Sequence, residues 1–145
     1  MKCVKERVEK PWGYEEIIQK NDSYAFKHLH IAPGKRLSLQ YHKEKMETIY
    51  CLSEEAIVWT KRSEDDTETK KITLHYGEAF HIMPNQIHRF AAGFYPVDLM
   101  EVSTPQLDDV VRLEDDYNRI ETTKETEWHL PVTLLRLPIL MIILR

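Results

Sequence analysis

The sequence predicts an all-β domain closed as a small barrel, and three observations carry that prediction. Short apolar or alternating runs recur along the chain, each bounded by a turn signal. No segment shows the 3.6-residue period of an amphipathic helix. Four glycines in 145 residues leave no room for the Gly-rich crossovers of an α/β fold. A chain of this length builds one core, and we divide it as a barrel over 1–125 followed by an apolar tail over 126–145.

The elements follow in order. "YEEIIQ" and "YAFKHLHI" flank "KNDS", a polar turn, and "IAPGKR" makes a Pro-Gly corner before the alternating "LSLQYH". "METIYCL" and "EAIVWTK" are joined through Ser53-Glu54-Glu55, and "RSEDDTETK" reads as a solvated hairpin tip. "KITLHY", the turn "GEA", "FHIMP", "HRFAAG" and "VDLMEVST" complete the clear strands. "LDDVVRLEDDYNRI" reads equally as a strand or a helical turn. Trp12 with Gly13 is expected to seal one end of the barrel, and Trp59 to lie in the core.

Composition excludes several functions. The net charge is −4 and no basic stripe is interleaved with aromatics, which argues against a nucleic-acid surface. Cys3 and Cys51 are the only cysteines, so no disulfide framework is implied and a reducing cytosol fits. "MKCVKERVEKPW" has no apolar stretch of the secretory kind. "LPVTLLRLPILMIILR" is apolar but short for a membrane span and broken by Pro131, Arg136 and Pro138. It is expected to pack on this domain or on a second subunit, and no membrane partner is expected.

One constellation stands out. Strand alternation sets Ser38, Gln40 and His42 on one face, and Lys43-Glu44-Lys45 turns the chain so that Glu47 faces back toward them. Downstream, Gly77-Glu78 makes a turn, Pro84 ends a strand, and His88 opens the next. If the two hairpins are neighbours, Gln40, His42, Glu47 and His88 meet inside the barrel as metal ligands. Without Gln40, the remaining two histidines and one carboxylate would suit non-haem iron and oxygen chemistry. His28 and His30 form a second H-x-H pair, but no carboxylate follows at a suitable spacing. An internal polar contact or a substrate contact suits them better. His81 is a candidate to line the pocket, and His75 and His129 read as surface residues.

These residues resemble the cupins, which carry a first motif PG-x5-H-x-H-x4-E and a second G-x5-P-x3-H. Here they read from Pro33-Gly34 to Glu47, and as Gly77, Pro84 and His88. Within cupins, "KPWGYEE", "IAPGKRLSLQYHKEKME", "MPNQIHRF" and "LDDVVRLEDDYNR" are similar to the C-terminal isomerase domain of bifunctional type II phosphomannose isomerases. The similarity runs from about Lys10 to Arg119. Lys45 stands where that family has an arginine, a point charge in place of a bidentate fork. The family's nucleotidyltransferase half has no counterpart in these residues.

The resemblance implies a single-domain, jelly-roll-like double-stranded β-helix. It also implies one divalent ion on Gln40, His42, Glu47 and His88. Zinc is taken first, with manganese, iron, cobalt and nickel compatible with a set that lacks thiolates. The implied reaction is aldose–ketose isomerisation of mannose 6-phosphate to fructose 6-phosphate through a cis-enediolate. Lys45 and Arg112 are the catalytic candidates, with Lys45 and its neighbour Glu44 also readable as solvated turn charges. Arg36, Lys27 and Arg89 are candidates for substrate contacts, and Arg112 could alternatively bridge to Asp115 or Asp116. A cupin that holds a sugar or nucleotide sugar without turning it over is the other reading. A homodimer is expected.

Overall fold

The computed structural model describes residues 1–120, so the apolar tail of 126–145 lies outside the described residues. Eleven strands and no helix make up the described chain. They are β1 (Glu6–Lys10), β2 (Gly13–Lys20), β3 (Ala25–Ile31), β4 (Leu39–Tyr41), β5 (Glu47–Cys51), β6 (Glu55–Lys61), β7 (Lys70–His75), β8 (Ala79–Ile82), β9 (Ile87–Ala91), β10 (Val97–Ser103) and β11 (Val111–Glu114). A six-stranded sheet runs β1-β2-β3-β10-β5-β8, and a five-stranded sheet runs β11-β4-β9-β6-β7. Every pairing is antiparallel.

Alternation decides which residues face inward. On β3, Ala25, Lys27, Leu29 and Ile31 are buried, while Phe26, His28 and His30 lie on the outer face. β10 repeats the pattern with Val97, Leu99, Glu101 and Ser103. Its position between β3 and β5 sets Leu99 opposite both Leu29 and Cys51. Ile31, Ile49, Val58, Ile82 and Phe90 join them from the two sheets as one apolar core. That core fills the end of the barrel beside Trp12, and the inward polar residues gather beyond it. Fold polarity is thus written in the strands themselves: apolar positions at one level, chargeable positions at another.

Register decides three points that local pattern left unread, open or wrong. β1 was not anticipated, because "ERVEK" offers only Val8 as an apolar residue; it forms by pairing along the whole of β2's first half. Trp59 is half-buried on the outer face of β6, with the Lys71 ammonium 5.7 Å from its ring centre, because Ala56, Val58 and Thr60 take the inward positions. The segment around Val111 resolves to a strand, since Arg112 pairs with Gln40.

Trp12 is buried and its carbonyl accepts a hydrogen bond from the Ala32 amide at 2.9 Å. The following Gly13 has φ +147°, and a Cβ there would lie 2.0 Å from the His30 carbonyl oxygen. Backbone approach of this kind requires glycine. Gly13→Ala is therefore expected to destabilise the fold by about 2–3 kcal/mol, read as a lowered midpoint in urea unfolding; an unchanged midpoint would contradict this packing.

Candidate metal centre

Glu47 opens β5 with its side chain inside the barrel, only 2% exposed. Two imidazoles face it. His88 Nε2 lies 3.0 Å from Glu47 Oε1 and His42 Nε2 lies 3.7 Å from Oε2, with the ring centres 5.3 Å apart. The opposite nitrogens are tied to backbone: His88 Nδ1 to the Gln86 carbonyl at 2.9 Å, and His42 Nδ1 to the Asp109 carbonyl. Each Nδ1–H donates to a carbonyl, which leaves each Nε2 as a bare lone pair. Both Nε2 atoms are buried without a hydrogen-bond partner. Two lone pairs aimed at a carboxylate are mutually repulsive unless a cation sits between them.

The donor set therefore fits a divalent ion, and the three ligand atoms lie within 4.8 Å of one another. Gln40 stands beside them, since it pairs with His88 across β4 and β9. Its Oε1 accepts a hydrogen bond from the Ser38 hydroxyl at 2.6 Å. An amide oxygen carries a second lone pair, so this bond orients the carboxamide without using up its donor capacity.

The turn that delivers Glu47 is held from the far end of the chain. Asp109 accepts hydrogen bonds from the amides of Lys43, Glu44 and Lys45 at 3.0, 2.6 and 2.8 Å. Partial burial pushes its carboxyl up, but these three donors outweigh it and hold the carboxyl below the usual range. Lys45 is no solvated turn charge. It is buried, with Nζ 2.5 Å from Glu47 Oε2 and 3.1 Å from Glu101 Oε1. Burial alone would lower its pKa; the charges of Glu101 and Glu47 reverse that and raise it. Burial likewise drives the Glu47 carboxyl up, yet the neighbouring imidazoles and the Lys45 ammonium bring it well below the carboxylate range. Glu44 is exposed at the surface.

A single pocket joins this cluster to solvent. Gln40, His42, Lys45, Glu47, Lys27 and Arg112 line it, together with Lys10, Glu15, Glu101, Arg119 and Trp12. Five cationic side chains face three carboxylates there, an excess of positive charge before any metal is counted. Arg112 is the least committed of them. Asp116 pairs with Arg36 and Asp115 with Arg119, and the buried Arg112 Nε has no hydrogen-bond partner.

Two of the candidate substrate contacts lie elsewhere. Arg36 is half-exposed and forms a bidentate pair with Asp116 at 2.7 and 2.9 Å. Arg89 follows His88 on β9 and so points to the other side, where it meets Glu114 at 3.4 Å. His81 is exposed and bonds Thr48 at 2.8 Å, away from the pocket. His28 Nε2 and His30 Nδ1 share one Asp98 oxygen, each at 2.8 Å, on the outer face of the six-stranded sheet. Lys10, Glu15, Glu101 and Arg119 escaped the sequence reading. Glu101 at least was legible, because it shares strand parity with Val97 and Leu99.

Two antiparallel sheets that bring buried histidines and a glutamate together between them define a cupin. More narrowly, the chain belongs to the family described as the C-terminal region of mannose-6-phosphate isomerase, which it matches over residues 2–115. Among its relatives, the mannose-1-phosphate guanylyltransferase ManC of Salmonella typhimurium is 34% identical over 117 residues, covering 78% of this chain and 23% of that protein. The alginate biosynthesis protein AlgA of Pseudomonas aeruginosa is 30% identical over 116 residues, covering 77% and 23%. The chain thus spans about a quarter of the length of these relatives. Among solved structures, the capsular polysaccharide assembling protein CapF of Staphylococcus aureus superposes with a TM-score of 0.67 at 16% identity, over 77% of this chain and 35% of that one. KdgF from Halomonas sp. gives 0.62 at 15% identity, over 75% and 98%. These two likenesses concern the fold alone.

Two outcomes follow from the site. His42→Ala and His88→Ala should each weaken binding of a divalent ion by at least about 100-fold in calorimetric titration, whereas His28→Ala should leave it unchanged. Second, Glu47, Asp109 and Asp115 all sit below the usual carboxylate range in the fold, Asp115 through its hydrogen bonds with Arg119. The unfolded chain then binds more protons, so the stability they contribute is present above the ordinary carboxylate range and is lost progressively as pH falls below it toward the depressed folded values. The urea midpoint should be lower at about pH 4 than at pH 7; an equal or higher midpoint would contradict the assignment.

Proposed function

We propose that this domain is a metal-dependent sugar-phosphate isomerase, interconverting mannose 6-phosphate and fructose 6-phosphate. The observation that carries the reading is the pairing of a His-His-Glu cluster and an oriented Gln40 with a pocket whose remaining charged side chains are mostly cationic. A divalent ion on Gln40, His42, Glu47 and His88 would keep a net positive charge and polarise a carbonyl or hydroxyl oxygen; zinc fits, as do manganese, iron, cobalt and nickel. A carboxamide is neutral like an imidazole, so the single carboxylate of Glu47 is the only ligand charge that would offset the ion's own.

The chain's own residues supply the rest. Lys45 donates to Glu47 and fixes the carboxylate in the orientation that serves both histidines. Arg112, unpaired with Asp115 or Asp116, is free to bind a phosphate oxygen or an anionic sugar oxygen, with Arg119 and Lys10 lining the same pocket. A guanidinium presents paired N–H donors that match phosphate geometry. Trp12 offers an apolar wall that excludes water from one side of the bound sugar. The family to which the chain belongs supports the choice of mannose 6-phosphate among hexose phosphates. In this reading the domain acts as a homodimer.

The metal-loaded protein is expected to convert mannose 6-phosphate to fructose 6-phosphate in a coupled assay. Gln40→Ala and His88→Ala should abolish turnover with the far-ultraviolet spectrum retained. Arg112→Ala should raise KM for the phosphorylated sugar about tenfold or more, in line with the loss of a charge-assisted contact worth roughly 1.5–3 kcal/mol. No turnover of any hexose phosphate by metal-loaded protein would reject the proposal.

A further inference from the structure

A line of alternating charges runs along the inner wall of the six-stranded sheet, from the pocket rim to the metal ligands. Lys10 Nζ lies 3.1 Å from Glu15, Glu15 lies 3.7 Å from Lys27 Nζ, and Lys27 Nζ lies 4.0 Å from Glu101. Glu101 is 3.1 Å from Lys45 Nζ, which is 2.5 Å from Glu47. Glu101 is thus the carboxylate one ammonium removed from a metal ligand. It lines the pocket, is 4% exposed, and receives both lysines on the same oxygen, Oε1. Its Oε2 has no protein partner among the described residues.

We infer that Glu101 is the base that carries the proton between C1 and C2, an inference that rests on the isomerase reading above. The other acceptors near the ligands are committed: each His Nδ1 is bound to a backbone carbonyl, and Glu47 lies between the two imidazoles. Glu15 stands further out, shared by Lys10 and Lys27.

The step balances as follows. The C2–H bond of the open-chain aldose breaks and its proton passes to Glu101 Oε2. The electron pair becomes the C1=C2 double bond while the C1=O1 pair moves onto O1, giving the cis-enediolate. The O2 proton transfers to O1, the C2=O2 bond forms, and the C1=C2 pair takes the proton back from Glu101 at C1. Lys27 and Lys45 hold the Glu101 carboxylate by its other oxygen throughout, so Oε2 faces the same side of both carbons.

The test uses the metal-loaded full chain. Glu101→Gln should keep the metal stoichiometry of the unaltered protein and bind a hydroxamate analogue of the enediolate within about threefold, because glutamine mimics the protonated carboxyl. Its turnover should fall by about 10²–10⁴-fold. Because Glu101→Gln removes a counter-charge from two lysines, a second measurement on the unaltered protein stands beside it. With mannose 6-phosphate deuterated at C2, part of the label should appear at C1 of the product, as a buried single-proton base would deliver it. Turnover of Glu101→Gln within tenfold of the unaltered protein, or complete loss of the label to water, overturns the assignment and leaves the isomerase reading standing. Absence of turnover in the unaltered protein removes both.

Discussion

A carboxylate at the floor of a small barrel is the constraint on which the rest of the molecule depends. Glu47 is almost fully enclosed, and an ionised carboxyl in that position is tolerated only when opposite charge and donors surround it. The fold supplies them in kind: Lys45 from the turn before β5, His42 from just after β4, His88 from β9 in the other sheet. Removing one partner from such a buried group typically costs about 3–5 kcal/mol, because the charge left behind is uncompensated. The same arithmetic extends outward. Glu101 needs Lys45 and Lys27, and Lys27 needs Glu15, so the inner wall becomes a ladder of alternating sign.

That ladder also explains how the barrel divides itself into two levels. Leu29 and Leu99 face inward on β3 and β10 and belong to the apolar core. One inward step along each strand, Lys27 and Glu101 face the same way and belong to the site. The core and the pocket are consecutive steps of one alternation, and a register slip on either strand would expose both. Asp109 closes the arrangement by holding the Lys43–Lys45 turn through three amides while its carbonyl holds His42. One residue on a late loop thereby positions two elements of the cluster.

Much of this was legible in the sequence, for reasons particular to each residue. Gln40 and His42 share parity and are followed by a turn of charged residues, so their convergence with Glu47 follows from strand geometry. His88 could be placed because Gly77 and Pro84 mark the hairpin that precedes it. Arg36 and Arg89 lie away from the pocket because their partners, Asp116 and Glu114, are set by β11 folding back beside β4. Lys45 was ambiguous for the same reason. Its burial is decided by Glu101, fifty-six residues away, and charge composition alone cannot distinguish a solvated lysine from one enclosed between two carboxylates. Long-range antiparallel pairing carries information that local pattern does not.

The central claim is that the cluster at Glu47 is a metal centre and not merely a compensated buried charge. Anomalous diffraction from crystals of the protein loaded with a divalent metal tests it most directly. The account predicts a single strong peak within about 2.0–2.3 Å of His42 Nε2, His88 Nε2, a Glu47 oxygen and Gln40 Oε1. A peak at His28, His30 and Asp98 instead, or none at the Glu47 cluster under saturating metal, would contradict it.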